Sequence, residues 1–252
     1  MADPGRRPRP LPELGFLSLG LLAYLTGRWY TLDSTDLAVA NAHDILALQR
    51  TLGLDWEHRV QDGAEAVPWL SSLAAHFYVW GYFPVLIATL VWLYARHPDG
   101  YRALRNGALV SGAVGFLVQA FYPVAPPRLS DRGFTDTLTG TLDALARPLG
   151  LSNHLAAVPS FHVGWLILAA VIVFRVSDSR ALRAAWVLLP LTMSYVVVAT
   201  GNHWVLDIPA GAVVAAVGLA GAAALARRDP VFHGVEGPDD RRPWSLPQGD
   251  AR

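Results

Sequence analysis

Thr200-Gly201-Asn202-His203-Trp204-Val205-Leu206-Asp207-Ile208-Pro209-Ala210-Gly211 lies where one apolar run, about 182–200, gives way to the next, about 204–226. Runs of about twenty apolar residues read as membrane helices, so this stretch is the mouth of a hydrophobic helix. His203 and Asp207 stand four residues apart. On a helix that spacing places both side chains on one face, one turn apart. Asp207 then accepts a hydrogen bond from one ring nitrogen of His203, which fixes the tautomer and leaves the other nitrogen basic. A carboxylate inside a membrane segment costs roughly 2.5–3.5 kcal/mol on insertion scales, so an ionisable pair in this position predicts function.

Further apolar runs lie at about 13–27, 68–95, 104–122 and 160–176. The sequence therefore predicts an all-α integral membrane protein: a six-helix bundle over 13–226, preceded by a polar arm, 1–12, and followed by a tail, 227–252. The tail is rich in Arg, Asp, Pro and Gly, and its composition predicts disorder. The 68–95 run contains Gly81 and Pro84, which membrane helices tolerate. Between the helices, 31–66 is amphipathic and mixed in charge, and Ile45, Leu46, Leu48, Leu52 and Leu54 suggest a helix lying along the interface. Composition agrees: 53% of the 252 residues are hydrophobic and 16% charged, against about 25% charged in soluble domains.

The formal net charge is zero, so nothing points to nucleic acid. All twenty basic residues are Arg, which excludes a Lys nucleophile, and with no Cys there is no thiolate chemistry. Most arginines fall in the arm, the tail and two inter-helix turns, and the positive-inside rule then places both termini in the cytoplasm. The expected location is a bacterial plasma membrane with an extracytoplasmic site. Trp29, Trp56, Trp69 and Trp204 suggest an aromatic belt on the outer side, which the connector at 123–158 shares.

Three clusters converge on that outer face. Tyr122-Pro123-Val124-Ala125-Pro126-Pro127-Arg128 ends the third helix, Val158-Pro159-Ser160-Phe161-His162 opens the fourth, and the His203/Asp207 turn joins the fifth and sixth. A phosphate ester needs its oxygens neutralised, a nucleophile in line with the leaving oxygen, and an acid for that oxygen. Arg128 supplies a planar fork of donors that matches phosphate. Ser160 offers a hydroxyl beside unpaired N–H groups at a helix start, where the dipole favours an anion. His203, oriented by Asp207, is the candidate nucleophile, and His162 the candidate acid and base. Asn202 either donates to phosphate or accommodates a tight turn. No cofactor or metal is required by this chemistry. His43, Glu57 and His58 read as interfacial polar groups, and His76 and Tyr82 as satisfied core polar groups, with the lining of a substrate pocket as the alternative for either.

Pro159-Ser160-Phe161-His162 and Gly201-Asn202-His203-Trp204-Val205-Leu206-Asp207 resemble the second and third motifs of the type-2 phosphatidic acid phosphatase superfamily, and Arg128 sits where the first motif's arginine falls. The resemblance covers about 70–215. It implies a nucleophile at His203, an orienter at Asp207, an acid/base at His162, and phosphate ligands at Arg128 and Ser160. It departs at Phe121, where the first motif usually has Lys, and at Val196 and Val197, where the third usually has Ser-Arg. The Ala-Pro-Pro-Arg and Thr-Gly-Asn-His forms, with Asn41 to Leu54 and Glu57 to Gln61, look like the branch containing inositolphosphotransferases.

The resemblance implies a lipid phosphate or phosphodiester substrate, with an alcohol as a possible acceptor. The alternatives are a lipid phosphatase acting on phosphatidate or polyprenyl phosphates and, from another class, a non-catalytic lipid-binding or transport protein on the same scaffold. With fewer cations, the site suits a singly charged phosphodiester better than a monoester. Arg132 and His154 are the residues that could replace the missing charges.

Overall fold

The computed structural model describes residues 8–31, 35–138 and 155–228. Residues 1–7 of the predicted arm, the end of the tail from 229, and His154 lie outside the described residues. The described chain forms nine α-helices: α1 Pro10–Thr31, α2 Thr35–Leu52, α3 Glu57–Glu65, α4 Pro68–Trp80, α5 Phe83–Arg96, α6 Pro98–Phe121, α7 Phe161–Val176, α8 Arg180–Ala199 and α9 Asp207–Arg228. A 3-10 turn, Pro127–Leu129, follows α6. No strand occurs among the described residues; one isolated bridge joins Val124 to Ala156.

Each apolar run of the sequence is helical, and its ends follow from local chemistry. Ser160 and Ser179 cap α7 and α8, with side chains accepting from the N–H groups of Val163 and Leu182. Pro98 opens α6 at a position where its missing N–H has no partner to lose. The run expected at 68–95 divides into α4 and α5, with the break at Gly81 and Tyr82. Pro84, in the first turn of α5, has no N–H to donate and disfavours helical geometry in the residue before it.

Among the described residues, three stretches are long and apolar enough to cross a membrane: Pro68–Arg96, Arg180–Ala199 and Asp207–Arg227. Phe161–Val176 is a shorter apolar helix. These segments associate the protein with a membrane.

The helices close against one another through small residues. A Cβ on Gly164 of α7 would meet the Gly211 carbonyl oxygen of α9 at 2.6 Å, so the two backbones touch where both helices begin. Gly164→Ala is expected to force them apart at a cost of about 1–3 kcal/mol, read as a lower unfolding midpoint of the detergent-solubilised protein. The main core lies among α4 to α9, around Leu93, Leu166, Leu168, Ile172, Met193 and Val197. A second cluster joins α2 to the connector through Ala38, Ala42, Leu46, Val124, Ala125, Ala157 and Trp204. At the opposite end from the α7–α9 contact, Glu13 of α1 pairs with Arg105 of α6 and accepts from the Tyr101 hydroxyl at 2.9 Å.

Two sequence expectations change here. Trp204, expected in the aromatic belt, is 0% exposed, and its indole N–H donates to the Ala125 carbonyl at 2.9 Å. Trp69 is 68% exposed, as a belt residue would be. Glu57, expected to be interfacial, is 2% exposed; it accepts a hydrogen bond from the Val205 N–H, in the chain after His203.

Candidate active site

Asp207 is the first residue of α9, so His203 lies before the helix rather than on it. Their contact still forms, because the intervening turn folds back. Asp207 Oδ2 accepts the Trp204 backbone N–H at 2.8 Å and stands 3.1 Å from His203 Nδ1. The Asp207 N–H returns to the Trp204 carbonyl at 3.0 Å. His203 Nδ1 is also 2.8 Å from the Ala157 carbonyl oxygen. A carbonyl only accepts, so Nδ1 carries the proton and shares it between two acceptors. The lone pair is therefore on Nε2, as a nucleophilic imidazole requires. Asp207 is fully buried, and its Oδ1 has no hydrogen-bond partner among the described residues.

The second cluster is tied to the third by backbone. Ser160 donates its N–H to the Asp207 carbonyl at 3.2 Å, which brings the start of α7 against the start of α9. The Val158–Pro159 peptide before it is cis. Two residues beyond Ser160, His162 lies with its ring centroid 5.6 Å from that of His203. The Tyr78 and Tyr82 rings flank His162 at 4.3 and 4.2 Å. Ser160, His203 and Asp207 are buried, while His162 keeps partial exposure.

The first cluster arrives through the 3-10 turn. The Arg128 backbone N–H donates to the Gly201 carbonyl at 3.0 Å, and Arg128 Nε donates to Asn202 Oδ1 at 2.8 Å. Asn202 in turn donates through Nδ2 to the Thr200 carbonyl and hydroxyl, at 3.1 and 2.9 Å. Asn202 thus both shapes the turn and aims the guanidinium. Gly201 has φ +65 and lies close to Gln61, Thr135 and the Arg128 Cβ, a conformation and crowding that suit glycine alone. Arg128 Nη1 stands 3.8 Å from Asp136 Oδ2, and Asp136 Oδ1 accepts the Leu138 N–H at 3.2 Å.

The six sequence-predicted site residues are thus brought into one cluster: His203, Asp207, His162, Ser160, Asn202 and Arg128. Phe121 is 83% exposed, whereas Val196 and Val197 are buried in the core. Arg132 is exposed on the connector. His76, expected as a core polar group, is instead exposed on α4 and bonds locally to the Ser72 carbonyl at 2.7 Å. Sequence reasoning assigned no role to Gln49, which lies within the Asn41 to Leu54 segment, or to Tyr78 and Asp136; Gln49 and Tyr78 meet Leu206 and His162 far along the chain, and Asp136 meets Arg128 eight residues away. Among the described residues, no group of three or more His, Asp or Glu side chains is placed to hold a metal ion.

A helical membrane bundle whose helix mouths bring a histidine–aspartate pair, a second imidazole and a guanidinium together defines the class of protein. A profile of the PAP2 superfamily matches residues 43–221, and the chain belongs to that superfamily. The crystal structure of LpxE from Aquifex aeolicus is similar in fold, with a TM-score of 0.53 at 16% identity, covering 69% of this chain and 94% of that one. No curated protein matches.

Proposed function

We propose that the protein cleaves a phosphate ester of a membrane lipid through a phosphohistidine at His203. The observation that carries this reading is the protonated Nδ1 of His203, held by Asp207 and the Ala157 carbonyl, with His162 beside the ring. His203 Nε2 forms a bond to phosphorus as the bond to the lipid oxygen breaks, and His162 protonates that oxygen. In the second half, His162 takes a proton from the acceptor hydroxyl, whose oxygen attacks phosphorus and releases His203. Arg128, Ser160 and Asn202 hold the non-reacting oxygens or the groups that do so. Six crossings, cytoplasmic termini and an outer-leaflet site complete this reading.

The acceptor separates two versions. Transfer of a phospho-headgroup from a phosphodiester to an alcohol, as by an inositolphosphotransferase, is supported by the low positive charge: Phe121, Val196 and Val197 contribute no cation, and Asp136 lies beside Arg128. Hydrolysis by water, as by a lipid phosphatase, is supported by membership of the PAP2 superfamily. The test is turnover of phosphorus-labelled phosphatidate and phosphatidylinositol by purified protein, with water alone and with added alcohols. Phosphate release without alcohol selects hydrolysis, and headgroup appearing on the alcohol selects transfer. Equal rates from wild type and the His203→Ala variant would end both versions and leave a lipid-binding scaffold.

Asp136 offers a further check on the charge argument. A carboxylate near the anion disfavours a second negative charge more than a first. Asp136→Asn is therefore expected to raise kcat/KM for monoester relative to diester by on the order of tenfold. An unchanged ratio would remove the charge argument for a phosphodiester.

A further inference from the structure

The turn that carries His203 ends in two N–H groups, those of Val205 and Leu206, just before α9. A helix start leaves such donors without partners in its own backbone. Here they are taken by two buried side chains from the other end of the chain. Glu57 Oε1 of α3 accepts the Val205 N–H at 2.8 Å, and Gln49 Oε1 of α2 accepts the Leu206 N–H at 2.9 Å. The two acceptors are joined, because Gln49 Nε2 donates to Glu57 Oε1 at 2.6 Å. Gln49 is 0% exposed and Glu57 2%. A carboxylate buried this far is costly unless hydrogen-bonded, and Glu57 accepts one bond from the nucleophile's own turn and one from Gln49, which itself accepts from that turn.

We propose that Glu57 and Gln49 are positioning residues for His203: a clamp from α2 and α3 that sets the height and orientation of the imidazole towards phosphorus. The clamp rests on the reading of His203 as nucleophile. It acts from behind, on backbone groups two and three residues past the histidine. Neither side chain is among the groups that hold or attack the phosphate, so their loss changes geometry rather than chemistry. Misplacement of a reacting group by about 1 Å costs on the order of 10²-fold in rate. The effect should fall on kcat, with KM nearly unmoved, because substrate binding rests on Arg128, Ser160 and Asn202.

The test compares wild type, Glu57→Ala, Glu57→Gln and Gln49→Ala in detergent, measuring kcat and KM on short-chain phosphatidate and phosphatidylinositol. Vanadate affinity and the unfolding midpoint are read alongside. Glu57→Ala is expected to lose on the order of 10²-fold in kcat and to weaken vanadate binding in parallel. Glu57→Gln keeps an oxygen for both donors and should recover most of the loss, since a neutral acceptor is about half as strong as a charged one. Gln49→Ala, which leaves the Glu57 bond to Val205 in place, should lose on the order of tenfold, and it decides the matter if Glu57→Ala does not fold. The clamp is refuted if kcat per folded protein is unchanged in the alanine variants, or if Glu57→Gln is as impaired as Glu57→Ala. If wild type turns over neither lipid in a His203-dependent way, the phosphotransfer reading fails separately, and vanadate affinity still reports on the clamp: equal affinity in wild type and Gln49→Ala refutes it.

Discussion

His203→Ala is expected to reduce lipid phosphate turnover by on the order of 10⁴–10⁶-fold, as removal of a covalent nucleophile does elsewhere. The size follows from the absence of a substitute at the same point: the neighbouring imidazole, His162, is 5.6 Å away between centroids and is flanked by two tyrosine rings. The variant also removes one partner of the buried Asp207 carboxylate, which keeps only the Trp204 N–H on Oδ2. A modest loss of stability, about 1–3 kcal/mol, should accompany the loss of activity. Rapid quenching of wild type with labelled lipid should trap an acid-labile, alkali-stable phosphohistidine that the variant lacks. Detection of the same label in the variant would move the nucleophile elsewhere. Asp207→Asn should be milder than loss of an orienting carboxylate usually is, where about 10⁴ is seen. The Ala157 carbonyl still accepts from Nδ1 and still enforces the productive tautomer.

Arg128→Ala is expected to cost on the order of 10²–10³ in kcat/KM, the effect of removing one preorganised donor to a developing anion. The guanidinium is preorganised: Asn202 Oδ1 holds Nε at 2.8 Å, and Asn202 is itself held by Thr200. With Val196, Val197 and Phe121 supplying no second cation, little is available to share the load. Arg128→Lys should not rescue, because an ammonium cannot bond to Asn202 and phosphate with the same fixed fork. Kinetics of the two variants on the same lipid check this. Recovery to near wild type by lysine would show that charge alone is needed at this position.

Much of the architecture was legible because it depends on local features. The runs expected at 160–176 and 182–200 become α7 and α8 with ends within two residues of those expected, whereas the run expected from 104 starts at Pro98, six residues earlier. The break between α4 and α5 was signalled by Gly81 and Pro84, but tolerance of such residues in membrane helices argued the other way. The pairing of His203 with Asp207 was expected from helical spacing and occurs instead across a turn, since four residues can be brought together by either geometry. The three motif clusters were expected on one face. Their meeting depends on contacts no spacing encodes, such as Ser160 N–H to the Asp207 carbonyl and Arg128 N–H to the Gly201 carbonyl.

Sequence alone determined the helical segments, the apolar character that associates them with a membrane, and the set of side chains proposed to act on a phosphate. Those properties are written in residue type and short-range order. Only the tertiary structure decided that Trp204 is buried rather than in a belt, that Glu57 and Gln49 grip the turn after His203, and that Asp136 shares Arg128. The first two are side chains meeting groups far away in the chain, and the third crosses eight residues of irregular connector. The energy that places such side chains comes from satisfying a buried donor or acceptor, which leaves no periodic trace in the sequence.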